Sequence, residues 1–300
     1  MDDEVYENYL LAGRIAAEAR DYGKSLIRSG VSFLEVAESV ESKILEKNAG
    51  IAFPVNLSVN DVAAHFTPRH DDKMIFKKGD VVKLDVGAHV NGYIADTALT
   101  VEVGTKNHSD MIYSSSDALD TAIDYMKAGV NLSKIGGKIE ETIKSYGYKP
   151  VANLSGHKLD HYALHAGIDV PNVKSPVKTI AAEDDVLAVE PFATDGRGHI
   201  NSGEDSNIFI YNSSFNERLI RDNRSKFLIR KIRSNFKTLP FAQRWCKKII
   251  KKSADQMIRR FTIRRVIKSY PQLIEVKGSI VTQKEHTLIV HENDCEVTTL

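Results

Sequence analysis

The stretch Lys83–Thr100, KLDVGAHVNGYIADTALT, reads as a β-hairpin with Asn91-Gly92 at its bend. Asn-Gly between two β-prone arms is the strongest short signal for a two-residue type I′ turn. Yet Asp85 lies in the first arm and Asp96 in the second, and aspartate is a poor strand former. A two-residue turn at Asn91-Gly92 pairs Val90 with Tyr93 and sets Gly87 opposite Asp96. Asp85 is two residues from Gly87, so it shares that face, with its α-carbon about 7–8 Å from that of Asp96 along the diagonal. The two carboxylates then converge above a small gap left by Gly87. Val82, Leu84, Val86 and Ala88 point to the other face and pack on a core.

Carboxylates held this close repel, and burial worsens the conflict. Either one proton is shared or a cation lies between them. The Asp-Thr/Ser-Gly character of a shared-proton dyad is absent, which favours a metal. The plain alternative is a half-exposed sheet with both side chains in water. Other acids shift the balance. Glu190 ends the apolar run Val186–Val189 just before Pro191, and Glu285 interrupts the strand-like segment Ser279–His291. A charge inside an apolar strand is rare unless it is paired or bound. His157, His161 and His165 recur every four residues, but Gly156 and Gly167 bracket them and the intervening residues make no helical stripe. One or two of the three are expected to act. His65 follows Ala63-Ala64, whose small side chains permit close backbone approach.

The chain has 300 residues, 42% of them hydrophobic, with 41 Lys/Arg and 40 Asp/Glu. That composition supports a large core and either two domains or one domain with an insertion. The acidic start Met1-Asp2-Asp3-Glu4 argues against a secretory or mitochondrial leader. No apolar run approaches the ~20 residues of a membrane span. With only two cysteines, Cys246 and Cys295, a soluble protein of a reducing compartment is expected. The near-neutral total hides an asymmetry. Residues 206–270 hold 18 Lys/Arg against three acids, leaving 23 basic and 37 acidic residues elsewhere. A basic block inside an acidic body marks an inserted unit. It reads mostly helical, with a helix over Ile258–Ile267 and Pro271 closing it.

An internal repeat underlies the body. Two helices are predicted over Tyr6–Ser29 and, from the capping box Ser32…Glu35, to about Lys47. Strands Ile51–Leu57 and Val62–His65 follow. SGVSFLEVAESVESKI (Ser29–Ile44) aligns with AGVNLSKIGGKIEETI (Ala128–Ile143), matching Gly30 with Gly129 and Val31 with Val130. Asn56-Leu57-Ser58 returns as Asn153-Leu154-Ser155. The order is helix–helix–strands twice, and two such halves can place a site between them.

IAFPVNLSVNDVAAHFTP, KLDVGAHVNGYIADTALT, NLSGH, HAG, VEPF and KEHT, in this order, closely resemble the type 2 methionine aminopeptidases in their archaeal form. The motifs run in register from about Phe53 to Thr287. The resemblance implies an α+β pita-bread (creatinase/aminopeptidase) fold, with two pseudo-twofold halves around a dinuclear metal site. It also implies a catalytic domain of residues 1–205 and 271–300 with a helical insertion, 206–270, of the kind the type 2 enzymes carry. Matched motif by motif, five metal ligands fall on Asp85, Asp96, His157, Glu190 and Glu285, with Asp96 and Glu285 shared between the ions. Oxygen ligands with one imidazole suit Co, Mn, Fe or Zn. Two such ions can activate a hydroxide for attack on the scissile carbonyl and seat a free α-amine, which makes an exopeptidase. By the same resemblance Glu190 moves the proton. His65 and His165 contact the substrate and steady the intermediate. Phe53 and Leu164 line the methionine slot, with Ile210 and Tyr211 the nearest insertion-side candidates.

The implied activity is removal of initiator methionine from nascent chains in the cytoplasm by a monomer, with a small second residue preferred. The sequence departs from relatives at Asp160-His161 and at Lys284. His161 is read as a surface residue, and strand alternation turns Lys284 away from the site. An Xaa-Pro-type pita-bread peptidase and a non-enzymatic binding protein on the same fold are the alternatives. The former usually carries an extra N-terminal domain, and the latter loses ligands. The basic insertion could also draw the enzyme to ribosomal RNA, against the plainer reading of solvated charges or charges facing the acidic body.

Overall fold

The computed structural model describes residues 1–176, 178–251 and 253–300. The chain opens with α1 (Asp3–Leu26), capped by the Asp2 side chain, and α2 (Phe33–Glu46), where the Ser32 side chain accepts from the Glu35 amide. Then come β1 (Gly50–Val59), β2 (Val62–Ala64), β3 (Val81–Val90) and β4 (Tyr93–Glu102). Helices α3 (Ser109–Tyr125) and α4 (Leu132–Ser145) lead to β5 (Lys149–Pro150), β6 (Ser155–Leu159), β7 (Asp169–Pro171), β8 (Val186–Val189) and β9 (Phe192–Thr194). Strand β10 (Asn201–Tyr211) precedes α5 (Asn223–Phe236), β11 (Phe241–Ala242), α6 (Gln243–Ile249) and α7 (Ala254–Ile263). The chain ends with β12 (Ile267–Ile274), β13 (Val281–Gln283), β14 (His286–Val290) and β15 (Cys295–Val297).

The repeat is structural down to single hydrogen bonds. Gly30 and Gly129 take φ of 89° and 82°. Their amides donate to the carbonyls of Phe76 and Ala181, each at 2.8 Å. Val31 and Val130 accept from the amides of the same two residues, at 3.0 and 2.9 Å. Isolated bridges Ser32–Ile75 and Asn131–Ile180 complete the match, and Ser32 and Asn131 both cap their helices. The Asn-Leu-Ser echo is less regular. Asn56–Ser58 lies within β1, whereas Asn153 and Leu154 precede β6.

Each half has its own core. Sheet β1-β3-β4 carries α1 and α2, with Val82, Leu84, Val86 and Ala88 buried against them. Each such burial contributes roughly 1.5–3 kcal/mol for the larger side chains. Sheet β15-β14-β8-β6-β7 packs on α3 and α4 through Leu187, Val189, Leu288 and Val290. The halves meet where β4 and β14 converge, joined by reciprocal backbone bonds between Ala98 and Glu285.

The basic segment has a third core of Phe209, Leu228, Ile232, Phe241, Phe261 and neighbours. Helices fill it, as expected, but long strands form its edges. β10 and β12 pair from Asn201–Ile274 to Tyr211–Ile267 in the sheet β11-β10-β12-β2. Pro271 therefore lies inside β12 rather than closing the block. Ile267 begins that strand instead of ending a helix, because Arg265 turns left-handed (φ 58°) after α7.

Candidate metal centre

The hairpin has the register the turn demands. Asn91 and Gly92 have φ of 51° and 94°, Val90 pairs with Tyr93, and Gly87 pairs with Asp96. The space above Gly87 is filled. A Cβ built there would lie 2.2 Å from the Phe53 ring. Phe53 reaches it because β1 shifts register twice between Ile51 and Asn56, around Pro54, which has no amide to give to the ladder. The same irregularity sets Asn56 opposite Asp85.

One pocket gathers Asp85, Asp96, His157, Glu190, Glu285, His65, His165, Phe53 and Leu164. Asp96 comes from β4 and His157 from β6, while Glu190 follows β8 and Glu285 precedes β14. Four segments from both halves thus converge. His157 Nε2 lies 3.7 Å from Asp96 Oδ2 and 3.9 Å from Glu190 Oε1. Asp96, His157 and Glu285 offer ligand atoms within 4.8 Å of one another. Gln283 Nε2 donates to Glu190 Oε2 at 3.1 Å and to Glu285 Oε2 at 3.4 Å.

Backbone bonds fix this geometry from behind. The Asp96 amide donates to Thr287 Oγ1, which donates back to the Asp96 carbonyl, both at 2.8 Å. The Thr287 amide donates to Thr299 Oγ1 at 3.1 Å. Buried Arg20 donates through Nη1 to Thr97 Oγ1 (2.7 Å) and to the Thr299 carbonyl (3.0 Å), and Thr97 Oγ1 donates to the Glu285 carbonyl (2.9 Å).

The electrostatics are those of a site built for cations. Burial pushes the Asp85 carboxyl up to about 7. Burial, then repulsion among the acids, pushes Asp96, Glu190 and Glu285 well above the carboxylate range. Burial, then His165, lowers His157 to about 3, so its imidazole is neutral and able to ligate. Asp85 Oδ1, Asp96 Oδ1 and His157 Nδ1 are buried without hydrogen-bond partners. Such groups are costly when left alone, and divalent ions would satisfy the carboxylate oxygens. The residues fit a metal.

A profile of metallopeptidase family M24 matches residues 7–215, well over half of the chain. The chain belongs to metallopeptidase family M24. A methionine aminopeptidase of Archaeoglobus fulgidus is 44% identical over 299 residues, covering 100% of both chains. Among solved structures, the methionine aminopeptidase of Thermotoga maritima covers 100% of this chain and 98% of its own at 21% identity, with a TM-score of 0.73. The prolidase of Pyrococcus furiosus, at 18% identity and a TM-score of 0.64, covers 100% of this chain and 64% of its own. These two likenesses carry the pita-bread fold, and the family carries dependence on divalent metal.

In this M24 chain the pocket wall supplied by the basic segment differs from the expectation. Ile208, Pro240 and Tyr270 line the pocket, not Ile210 and Tyr211. Asn207, at φ 65°, breaks the alternation of β10. Tyr211 turns to the insertion instead, donating to Glu217 at 2.6 Å and lying on a separate groove. Asn56 and Ala64 also line the site. Gln283 joins the site as well, its two-residue spacing from Glu285 placing both on a common face. His161 is exposed, its Nε2 2.9 Å from the Asn91 carbonyl and its ring on Tyr93 and Tyr162, away from the pocket. Lys284 faces Arg20, Asp21, Lys24 and Asp120; burial, then Arg20, lowers it to about 8.

Proposed function

We propose that this protein is a type 2 methionine aminopeptidase, which removes the N-terminal methionine of new chains when the second residue is small. The observation that carries this reading is the convergence of four buried carboxyls and a neutral histidine beside an apolar slot formed by Phe53, Leu164, Ile208 and Pro240. The chain's correspondence with a methionine aminopeptidase along its full length supports it, as does an insertion whose core packs around β10–β12. The family's prolidase relative has further length that this chain does not cover.

Two divalent ions, cobalt, manganese, iron or zinc, would be held by Asp85, Asp96, His157, Glu190 and Glu285. When bound they would supply Lewis acidity and a hydroxide nucleophile at neutral pH. Glu190 holds the moving proton: Gln283 occupies its Oε2 and leaves Oε1 toward His157. The histidines on the wall donate N–H bonds without charge. Burial, then His165, depresses His65 to about 4, opposed by the Pro271 carbonyl. Desolvation lowers His165, with Asp169 opposing. Neutral donors favour an oxyanion over the neutral carbonyl it forms from. Phe53 and Leu164 exclude water from the methionine side chain.

Methionine release from Met-Ala-Ser and Met-Lys peptides, with added cobalt or manganese, tests the substrate. Cleavage of the first and little of the second is expected. Preferential cleavage of a Xaa-Pro peptide instead would assign the Xaa-Pro chemistry.

No helix among the described residues is long and apolar enough to cross a membrane. A cytoplasmic monomer acting on nascent chains is the natural setting for the proposed reaction. Some insertion charges do face the acidic body, as Lys248 meets Glu38 at 3.0 Å. Arg259, Arg260, Arg264 and Arg265 remain exposed and are the groups that would meet ribosomal phosphates. Neutralising all four is then expected to reduce ribosome co-sedimentation at low salt; unchanged co-sedimentation would sink the contact.

A further inference from the structure

We propose that Arg244, carried by insertion helix α6, is a positioning residue for His65. This rests on the reading above, in which His65 faces the substrate. His65 has a left-handed backbone, φ 62°, and its Nδ1 is buried with no hydrogen-bond partner. Its ring meets Tyr270 edge-on, 5.4 Å between centroids. No hydrogen bond at Nδ1 therefore orients the imidazole. Apart from the Pro271 carbonyl, which bonds the ring, its aim depends on packing and on the path of the backbone through Phe66, Thr67 and Pro68.

That path is tied down by a closed ring of buried bonds. Arg244, 1% exposed, donates through Nη1 to Thr67 Oγ1 (2.7 Å) and to the Pro68 carbonyl (2.9 Å). Thr67 Oγ1 donates to the Val55 carbonyl at 2.7 Å. The Val55 amide donates to Glu41 Oε1 at 3.3 Å, and Glu41 pairs with Arg244. Trp245, the next residue of α6, donates Nε1 to Glu41 Oε2 at 2.9 Å. Thr67 is also held by Ser206 and Asn207 of β10. Val55 stands between Phe53 and Asn56 on β1, so the ring joins the His65 loop to the opposite pocket wall.

A buried ion pair is a weak source of stability, and apolar replacements often serve as well. What this pair adds is direction. It links α2 of the body, the loop after His65, and the insertion in one hydrogen-bonded circuit. The insertion thereby acts on the chemistry through Arg244, beyond walling the slot.

The test is a double variant, Glu41→Gln with Arg244→Met, which removes both charges and leaves a single acceptor oxygen to share between the Trp245 and Val55 donors. Its kcat and KM on Met-Ala-Ser, metal affinity by calorimetry and Tm are measured in the parent and in a His65→Ala background. Expected is a fall in kcat of about 10- to 100-fold, since a displacement near 1 Å can cost ~100-fold. Metal affinity should stay at the parent value. In the His65→Ala background the extra loss should vanish, because coupled residues are non-additive. Thr67→Val, which removes only the hydroxyl, should show the same dependence on His65 even if the double variant folds poorly. Arg244→Lys should restore part of the rate. A parent-like kcat in the folded variants, or an equal loss with and without His65, overturns the proposal. A His65→Ala enzyme with unchanged kcat instead overturns the reading of His65 on which it rests.

Discussion

Asp96→Asn is expected to lower methionine release at least about 100-fold, because even an outer partner of a metal ligand is worth 10–100-fold and Asp96 sits at the centre of the carboxyl cluster. The same substitution should do the opposite to the stability of the chelated protein. There, Asp96 is pushed up by burial, then by Asp85 and Glu190. A neutral amide removes that conflict. The pH dependence follows from the sign of the shifts. Below about pH 4 the cluster is protonated in both the folded and unfolded chains, and its contribution to stability is fully present. As pH rises, the unfolded chain ionises first while the folded cluster keeps its protons. Stability is therefore lost as pH passes through the raised folded pKa, about 7 for Asp85. Unfolding midpoints of chelated enzyme should fall over that window, and Asp96→Asn should flatten the fall. A chelated Asp96→Asn protein less stable than its chelated parent at pH 8 would show that the cluster is not under electrostatic strain.

Gly87→Ala is the second large effect. Its Cβ would meet the Phe53 ring at 2.2 Å, with further ring atoms at 2.6 and 2.8 Å. The ring then moves, and Phe53 lines the slot. Overpacking of this kind costs about 1–3 kcal/mol of folding stability, and losing an apolar side-chain contact of about 1.5–3 kcal/mol corresponds to roughly 10- to 150-fold in kcat/KM. The loss should fall on KM for peptides beginning with methionine. Metal content should be unchanged, since Asp85 and Asp96 keep their ladder positions. Unchanged kinetics in the variant would separate Phe53 from the slot.

The hairpin shows how far local rules reach. Asn91-Gly92 fixes a register, and the register alone puts Asp85 and Asp96 on one face. The same arithmetic left a hole above Gly87, because nothing in the hairpin announces a ring arriving from another strand. Phe53 arrives through a bulge at Pro54. The helix pairs were legible from their caps and glycines, because capping is a local transaction between residues three or four apart. Glu190 and Glu285 stood out as charges in apolar strands. Their partner Gln283 did not, since a glutamine in a strand costs little and attracts no notice. Tyr270, Ile208 and Pro240 were out of reach for another reason. Their positions depend on how β10, β12 and the loop before β11 lie against the first half, and Asn207 breaks the alternation that would have foretold it. The ring around Arg244 joins residues about 200 apart in sequence, from Glu41 to Trp245, and has no local signal.

Titrating metal back into chelated, desalted enzyme while following methionine release from Met-Ala-Ser tests the central claim most directly. Activity near zero without metal, rising with added cobalt or manganese and saturating at two equivalents bound per chain, is the predicted result. Full cleavage in excess chelator, with no metal found in the protein, would contradict it.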